Sequence, residues 1–388
     1  MKLTACLLGA ALLANAPASP SPSGDAAFRR GDFAVAGAAY AAALAARPDD
    51  VDALVGLGTV RLYGGNLAAA RSTLMKAAAL APSDARIAER LRSIARVESR
   101  PGDLRVTMDR SEVDVPFVVT DPLPMIRARI DGHDATLVID TGATTIALSA
   151  AAARRFGIAL HPAGQGVFAG GRTAAISAGR IDTVSFSGAS VRGVPAGGLP
   201  AGMPTSLGGH DYDGVIGTTL LRQFLSTLDY PGARLILRPR ADSARFEAAA
   251  AAHDDAIVPM WLVPDHFIFA RARVDDAYDA LFSIDTGGAG IGITLTKDAL
   301  DAAGIEPDAT KAVAGVGGGG AVRIVPFTAA SVSLGTFSRR DVAGVYSPGG
   351  DPYGIFPFAV AGALTHGFFR SAALTFDFDA MELVVASR

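Results

Sequence analysis

The chain has almost no cysteine. Its one thiol, Cys6, lies inside the first apolar stretch. Once that stretch is removed, no disulfide, thiolate metal site or cysteine nucleophile can form. Charge is also sparse. Asp, Glu, Lys and Arg make up 19% of the residues, the formal net charge is −3, and no long Lys/Arg run occurs. That pattern argues against nucleic acid or an acidic membrane surface as the partner. Neither His-Glu-x-x-His nor Gly-x-Ser-x-Gly is present, so the usual zinc-peptidase and nucleophile-elbow signatures are missing. A length of 388 residues predicts two or three domains.

The first residues read as an export signal. Lys2 supplies a positive start, Leu3 to Leu13 are apolar, and small residues follow at Ala14-Asn15-Ala16 and Ala16-Pro17-Ala18. We expect a signal peptide over residues 1–18 and an exported protein, in a bacterial periplasm or secreted. An uncleaved anchor is the other reading. Leu3-Thr4-Ala5-Cys6 looks like a lipoprotein box, but no apolar segment precedes it.

Residues 25–97 carry a helical repeat. Gly31-Asp32-Phe33, Ala36, Tyr40, Ala43-Leu44 and Pro48 recur as Gly65-Asn66-Leu67, Ala70, Leu74, Ala77-Ala78 and Pro82, with 34 residues between the two prolines. This segment resembles the tetratricopeptide repeat, with a short first helix and Ala85 to Val97 as a cap. The resemblance implies a surface for peptides or partner proteins. A plain helical spacer packed on the rest of the chain fits the same residues.

After a linker around Pro101-Gly102, short apolar runs alternate with Gly and Pro clusters, as in all-β domains. Two regions, 104–240 and 255–388, read as copies joined by a helix within Arg240–Asp255. Arg127-Ala128-Arg129-Ile130-Asp131 matches Arg271-Ala272-Arg273-Val274-Asp275. Asp140-Thr141-Gly142 matches Asp285-Thr286-Gly287, each at the end of an apolar strand-like run. Helical segments ending at Gly157-Ile158 and Gly304-Ile305 follow. Val215-Ile216-Gly217 and Val360-Ala361-Gly362 each lie 77 residues after their Asp when counted to the Gly. Each copy closes with a hairpin pattern, Thr227 to Leu237 and Thr375 to Val385.

Two carboxylates at equivalent places in two similar halves suggest one shared acid/base centre. Held close together they cannot both ionise easily, so they keep one proton between them and titrate as a pair. The ionised member can take a proton from water, and the protonated one can polarise a carbonyl.

On these motifs residues 104–388 resemble the aspartic peptidases, in the group spanning retropepsins and pepsins. The resemblance implies a mainly β, bilobal acid-protease-like β-barrel fold, preceded by the short tetratricopeptide-like α-helical segment. It implies an aspartic endopeptidase in one chain, with Asp140 and Asp285 as the dyad. Thr141 and Thr286 would hydrogen-bond across the lobes, and Gly142 and Gly287 would allow the tight turns. Flaps are expected at Phe168, Gly170 and Gly171 in one lobe and at Gly317 and Gly318 in the other. Ala143 matches retropepsins, whereas Gly288 departs from both groups and predicts a looser second loop. The reading calls for no metal, cofactor or second chain. It calls for peptide or unfolded protein as substrate and a possible protein partner on the helical repeats. A catalytically inactive peptide-binding adaptor with the same cleft is the alternative.

Three other signals carry less. Gly315-x-Gly317-x-x-Gly320 has a dinucleotide-binding spacing but leads into a strand-like run, not a helix. His210-Asp211-Tyr212-Asp213 reads as a polar loop rather than a metal site. Trp261 reads as core or cleft wall.

Overall fold

The computed structural model describes residues 22–98, 104–168, 171–264 and 266–387. The expected export signal with Cys6, the Pro101-Gly102 linker and Gly170 lie outside the described residues.

Five helices come first: α1 (Pro22–Arg29), α2 (Phe33–Ala46), α3 (Val51–Tyr63), α4 (Leu67–Leu80) and α5 (Ala85–Glu98). The repeated polar residues are N-caps. The Asp32, Asp50 and Asn66 side chains accept from the backbone N–H groups of Val35, Ala53 and Ala69, which satisfies donors the first helical turn leaves free. Gly31 and Gly65 turn the chain with φ of +71° and +73°. Tyr40 lies flat against Gly24 and Gly56, where a Cβ would come within 2.9 and 2.5 Å of its ring.

The helical stack has no separate core of its own at the α1–α2 and α3–α4 turns. Phe33, Tyr63 and Ala27 share one buried cluster with Phe269, Leu281, Val263 and Phe358 of the second β region. Trp261 stands edge-on to Phe33 at 5.1 Å and closes over Gly64. The helices are therefore a packed part of the body, in agreement with the spacer reading for this edge of the stack.

The remainder is β structure whose ladders close into a barrel. Hydrophobic alternation forms the strands, and the two copies have the same layout. In the first, Met125–Ile130 pairs with His133–Ile139, and Gly214–Ile216 lies parallel to the latter. In the second, Phe267–Val274 pairs with Tyr278–Ile284, and Gly362–Leu364 lies parallel to that strand. The helices Ala150–Arg155 and Lys297–Ala303 follow, each ended by a glycine with left-handed φ, Gly157 and Gly304. The expected connector is the helix Ser243–Ala252.

One antiparallel sheet joins the halves. Its order is Val113–Val119, Arg234–Arg238, Leu225–Asp229, Ala372–Asp377, Glu382–Ser387 and Ala256–Val263. The central pair is buried along its full length. Thr227 faces Thr375 there, with their hydroxyls 2.8 Å apart, so each copy supplies half of the same hydrogen bond. The carboxylates of Asp229 and Asp377 are buried at the two hairpin turns, where they accept from Gly232 and from Asp379 and Ala380.

A shared core predicts shared unfolding. Helical circular dichroism and Trp261 fluorescence should report one coincident urea transition. Phe33→Ala should destabilise that single transition by about 3–5 kcal/mol. Two separated transitions in the wild-type protein would contradict the shared core.

Candidate active site

Asp140 and Asp285 both follow a buried strand and precede a tight turn at the junction of the two β regions. The backbone N–H of Asp140 donates to Ile216, and that of Asp285 donates to Leu364, each over 3.0 Å. Each carboxylate accepts from the glycine two residues on, Gly142 and Gly287, over 2.9 Å. Each glycine also lies over the opposite carboxylate. A Cβ at Gly142 would come 2.7 Å from the Asp285 carboxyl carbon, and one at Gly287 would come 2.4 Å from that of Asp140. The two glycines are what let the carboxyl groups meet, and these hydrogen-bond to one another.

Thr141 and Thr286 fix that meeting. The Thr141 hydroxyl donates to the Ile284 carbonyl over 2.7 Å and accepts from the Thr286 N–H over 3.0 Å. The Thr286 hydroxyl donates to the Ile139 carbonyl over 3.3 Å and accepts from the Thr141 N–H over 3.1 Å. Both side chains are fully buried, so all four bonds are shielded from competing water. Thr218 adds a further hydroxyl bond to the Thr141 carbonyl.

Burial, then the neighbouring charge of Asp285 and the bond between the two carboxyls, push the Asp140 carboxyl well above the ordinary carboxylate range. Burial also raises Asp285, opposed by N–H donors from Gly287 and Gly142. Both residues are half-buried. The pair therefore keeps one proton at pH values where isolated carboxylates lose theirs.

The equivalence of the later glycines needs correction. Ile139 pairs with Ile216, and Ile284 pairs with Leu364. The counterpart of Val215-Ile216-Gly217 is thus Ala363-Leu364-Thr365, and Gly362 answers to Gly214. The equal 77-residue spacing is a coincidence of pairing Gly217 with Gly362, which are not structural counterparts. The loop after Asp285 is two residues longer than that after Asp140, since Ile146 corresponds to Ile293. The Thr365 side chain fills the space beside Gly288, where a Cβ would come 2.6 Å from the Thr365 methyl. In the first copy the arrangement is reversed: Ala143 is present, and a Cβ at Gly217 would come 2.4 Å from its carbonyl oxygen.

The expected flaps are two hairpins. Leu160–Phe168 pairs with Arg172–Phe186, and Val313–Gly317 pairs with Gly320–Leu334. Their tips touch across the two copies. The Phe168 ring occupies the space a Cβ at Gly318 would need, 2.2 Å away, and Arg172 Nε donates to the Gly319 carbonyl over 3.1 Å. Gly171 has φ of +69° at the first tip, and Gly317 pairs with Gly320 at the second. The Gly315–Gly320 run is therefore a hairpin, as its strand-like context indicated.

Sequence reasoning missed two tyrosines. Tyr212 is buried beside Asp140, whose charge, after burial, raises its phenol, and its hydroxyl donates to the Pro204 carbonyl. Tyr353 lies near Asp285 in the second copy. Neither adjoins a motif, so only the fold brings them in. In the His210–Asp213 segment, Asp213 accepts from Thr136 N–H and pairs with Arg155. Among the described residues no cluster of three or more His, Cys, Asp or Glu is grouped as a metal site, and no helix is long and apolar enough to cross a membrane.

The fold is that of an aspartic-protease-like chain carrying tetratricopeptide-like helices. The aspartyl protease family model matches residues 126–220 and 270–356, one copy in each β region. The tetratricopeptide repeat model matches residues 27–93. Among solved structures the chain is similar to a retropepsin-like aspartic protease from Rickettsia conorii, at 18% identity over 35% of this chain and 94% of that one, TM-score 0.24. It is also similar to the UNC-45 chaperone, described as binding and folding muscle myosin, at 28% identity over 20% of this chain and 9% of that one, TM-score 0.20. No curated protein matches.

Two outcomes are expected. Gly288→Ala should cost about 1–3 kcal/mol by overpacking against Thr365, and adding Thr365→Gly, which rebuilds the Ala143/Gly217 arrangement, should recover most of it. Failure of the double variant to recover in chemical denaturation would refute the compensation. Asp140→Asn should stabilise the protein at neutral pH. A raised folded-state acid costs stability as pH climbs from the unfolded value of 3.8 through the folded one. The gain should therefore fade below that lower value, as read by thermal melts across pH.

Proposed function

We propose that this chain is an aspartic-type endopeptidase whose dyad is Asp140 and Asp285. The observation that carries the reading is the mutual hydrogen bond of two half-buried carboxyls held by the crossed Thr141 and Thr286 bonds. Retaining such a pair is costly without a use for it, and strongly perturbed acids gather at functional sites. The match of both β regions to the aspartyl protease family supports the same reading.

In the proposed reaction the dyad holds one proton and orients one water. The ionised carboxylate takes a proton from that water as its oxygen attacks the scissile carbonyl carbon. The neutral carboxyl gives its proton to the carbonyl oxygen. The tetrahedral diol then collapses: the carbon–nitrogen bond breaks and the nitrogen leaves with a proton from the dyad. Gly142 and Gly287 N–H groups hold the carboxylates in place, and the low-polarity surroundings keep the pair from losing its shared proton.

The substrate would be an extended peptide beneath the two flaps, added as a strand to their edges. Exposed apolar side chains at Val167, Val313 and Val316 on the flaps, and Ile355 nearby in sequence to Tyr353, favour apolar peptide segments. Flap opening would admit them. Action after export follows from the Lys2 to Leu13 signal pattern. The adaptor alternative draws on Gly288 and on the short helical array; the packing of Thr365 against Gly288 weakens the first of these grounds.

Asp140→Asn and Asp285→Asn should each abolish cleavage of unfolded polypeptides by the purified protein while leaving the fold intact. Persistent cleavage in both variants would sink the proposal.

A further inference from the structure

The two β copies differ at one strand edge. In the first copy Arg172–Phe186 occupies one edge of the strand Ala189–Gly198. The other edge carries two strands in line. Ile146–Leu148 lies parallel to Ala196–Gly198, and Arg105–Met108 lies antiparallel to Ala189–Arg192. In the second copy Gly320–Leu334 occupies one edge of Phe337–Tyr346. Ile293–Leu295 runs parallel to the far end of the other edge, at Gly344 and Val345. Ahead of this copy's first strand stands the helix Ser243–Ala252. Among the described residues no strand takes the place of Arg105–Met108. Residues 337–341 therefore keep an unpaired edge, with backbone groups that a further strand would satisfy.

That edge borders a recess of ≈ 260 Å³. Its walls are Arg339, Arg340, Asp341, His366 and Arg370, the 290–292 stretch of the loop after Asp285, and Asp121 from the first copy. Arg370 is already paired. It donates to one oxygen of the Asp121 carboxylate over 2.6 Å, and His366 Nε2 stands 3.2 Å from the other. Arg339 donates to the neutral Ser371 hydroxyl over 2.5 Å. Arg340 is exposed and has no carboxylate at ion-pair distance among the described residues. Three guanidinium groups thus share the recess with two carboxylates, one of which is held by Arg370 and His366.

The first copy lacks this charge. Register sets Gly344 opposite Ile293 and Ala196 opposite Ile146, so Arg339 answers to the buried Val191 and Arg340 to Arg192. Arginines also guard open edges against self-association, but a guard needs no recess beside it.

We propose that residues 337–341 are a docking edge for an extended segment of another polypeptide bearing carboxylate side chains. The segment lies on this edge as Arg105–Met108 lies on the first copy. Its backbone completes the ladder, and because successive side chains of a strand point to opposite faces, adjacent acids meet Arg339 and Arg340 separately. A second copy of this chain is a poor occupant, since edge to edge it sets arginine against arginine. Residues 1–21 carry no carboxylate side chain and lack the complementary charge as well. The docking does not require the dyad to work.

The test uses the full chain and a fluorophore-labelled ten-residue Val/Thr peptide with two adjacent central Glu residues. Fluorescence anisotropy should show it binding, more weakly as salt rises. Replacing both Glu residues by Gln should weaken binding about tenfold. Amide exchange at Ser338–Asp341 should slow about tenfold in the complex. Arg340→Glu should weaken binding about tenfold, and if that variant fails to fold, Arg340→Gln should do so by less. Arg192→Glu, on the covered edge of the first copy, should leave binding unchanged. Arg339→Glu combined with Arg340→Glu should reverse the preference, so that the peptide with two Lys residues binds better. Binding that survives Arg340→Glu, or that leaves the 338–341 amides unprotected, would overturn the proposal. No binding would reduce the arginines to an edge guard and overturn it too. A dimer protected at these amides would make a second copy the occupant and overturn it as well.

Discussion

The crossed hydrogen bonds between Thr141 and Thr286 hold the centre of this protein together. Each threonine uses hydroxyl and backbone N–H on partners in the other β region. Neither loop can satisfy its buried polar groups alone, so the dyad loops acquire a defined geometry only when the two regions meet. The six-stranded sheet enforces that meeting from below, through Thr227 and Thr375. Bringing two carboxyls together against their mutual repulsion then becomes a consequence of rigid backbone rather than of attraction between them.

The pseudo-symmetry holds in the backbone and is broken in the side chains. Ala143 with Gly217, and Gly288 with Thr365, carry the glycine on opposite partners: Gly217 makes room for the Ala143 backbone, and Gly288 for the Thr365 side chain. Ser283 and Thr294 replace Val138 and Ala147 in the second copy. A single chain is free to diverge in this way, whereas two identical subunits would be held to the same residues. The two aspartates therefore sit in different surroundings although their strands and turns are equivalent.

Much of this was legible in the residue order. Alternating apolar runs, the Gly157 and Gly304 helix ends, the closing hairpins and the capped helices all express local rules acting within a few residues, and the strands and helices follow them. Asp140, Asp285, both threonines and both flap hairpins are found where their motifs stand. The pairing of Gly217 with Gly362 failed because equal spacing in sequence does not fix strand register when two loops differ in length. The neighbour that requires a glycine at position 288 is Thr365, far along the chain. Tyr212 and Tyr353 carry no local signature.

The sequence by itself determined the two copies, the motif residues and the helical repeat, because each rests on short-range periodicity and turn chemistry. Only the tertiary structure decided that the helices are built into the second β region and that Phe358 and Trp261 are shared between them. Those contacts join residues far apart along the chain, and close packing selects them. No periodicity along the chain encodes which buried surface will be left for another element to cover.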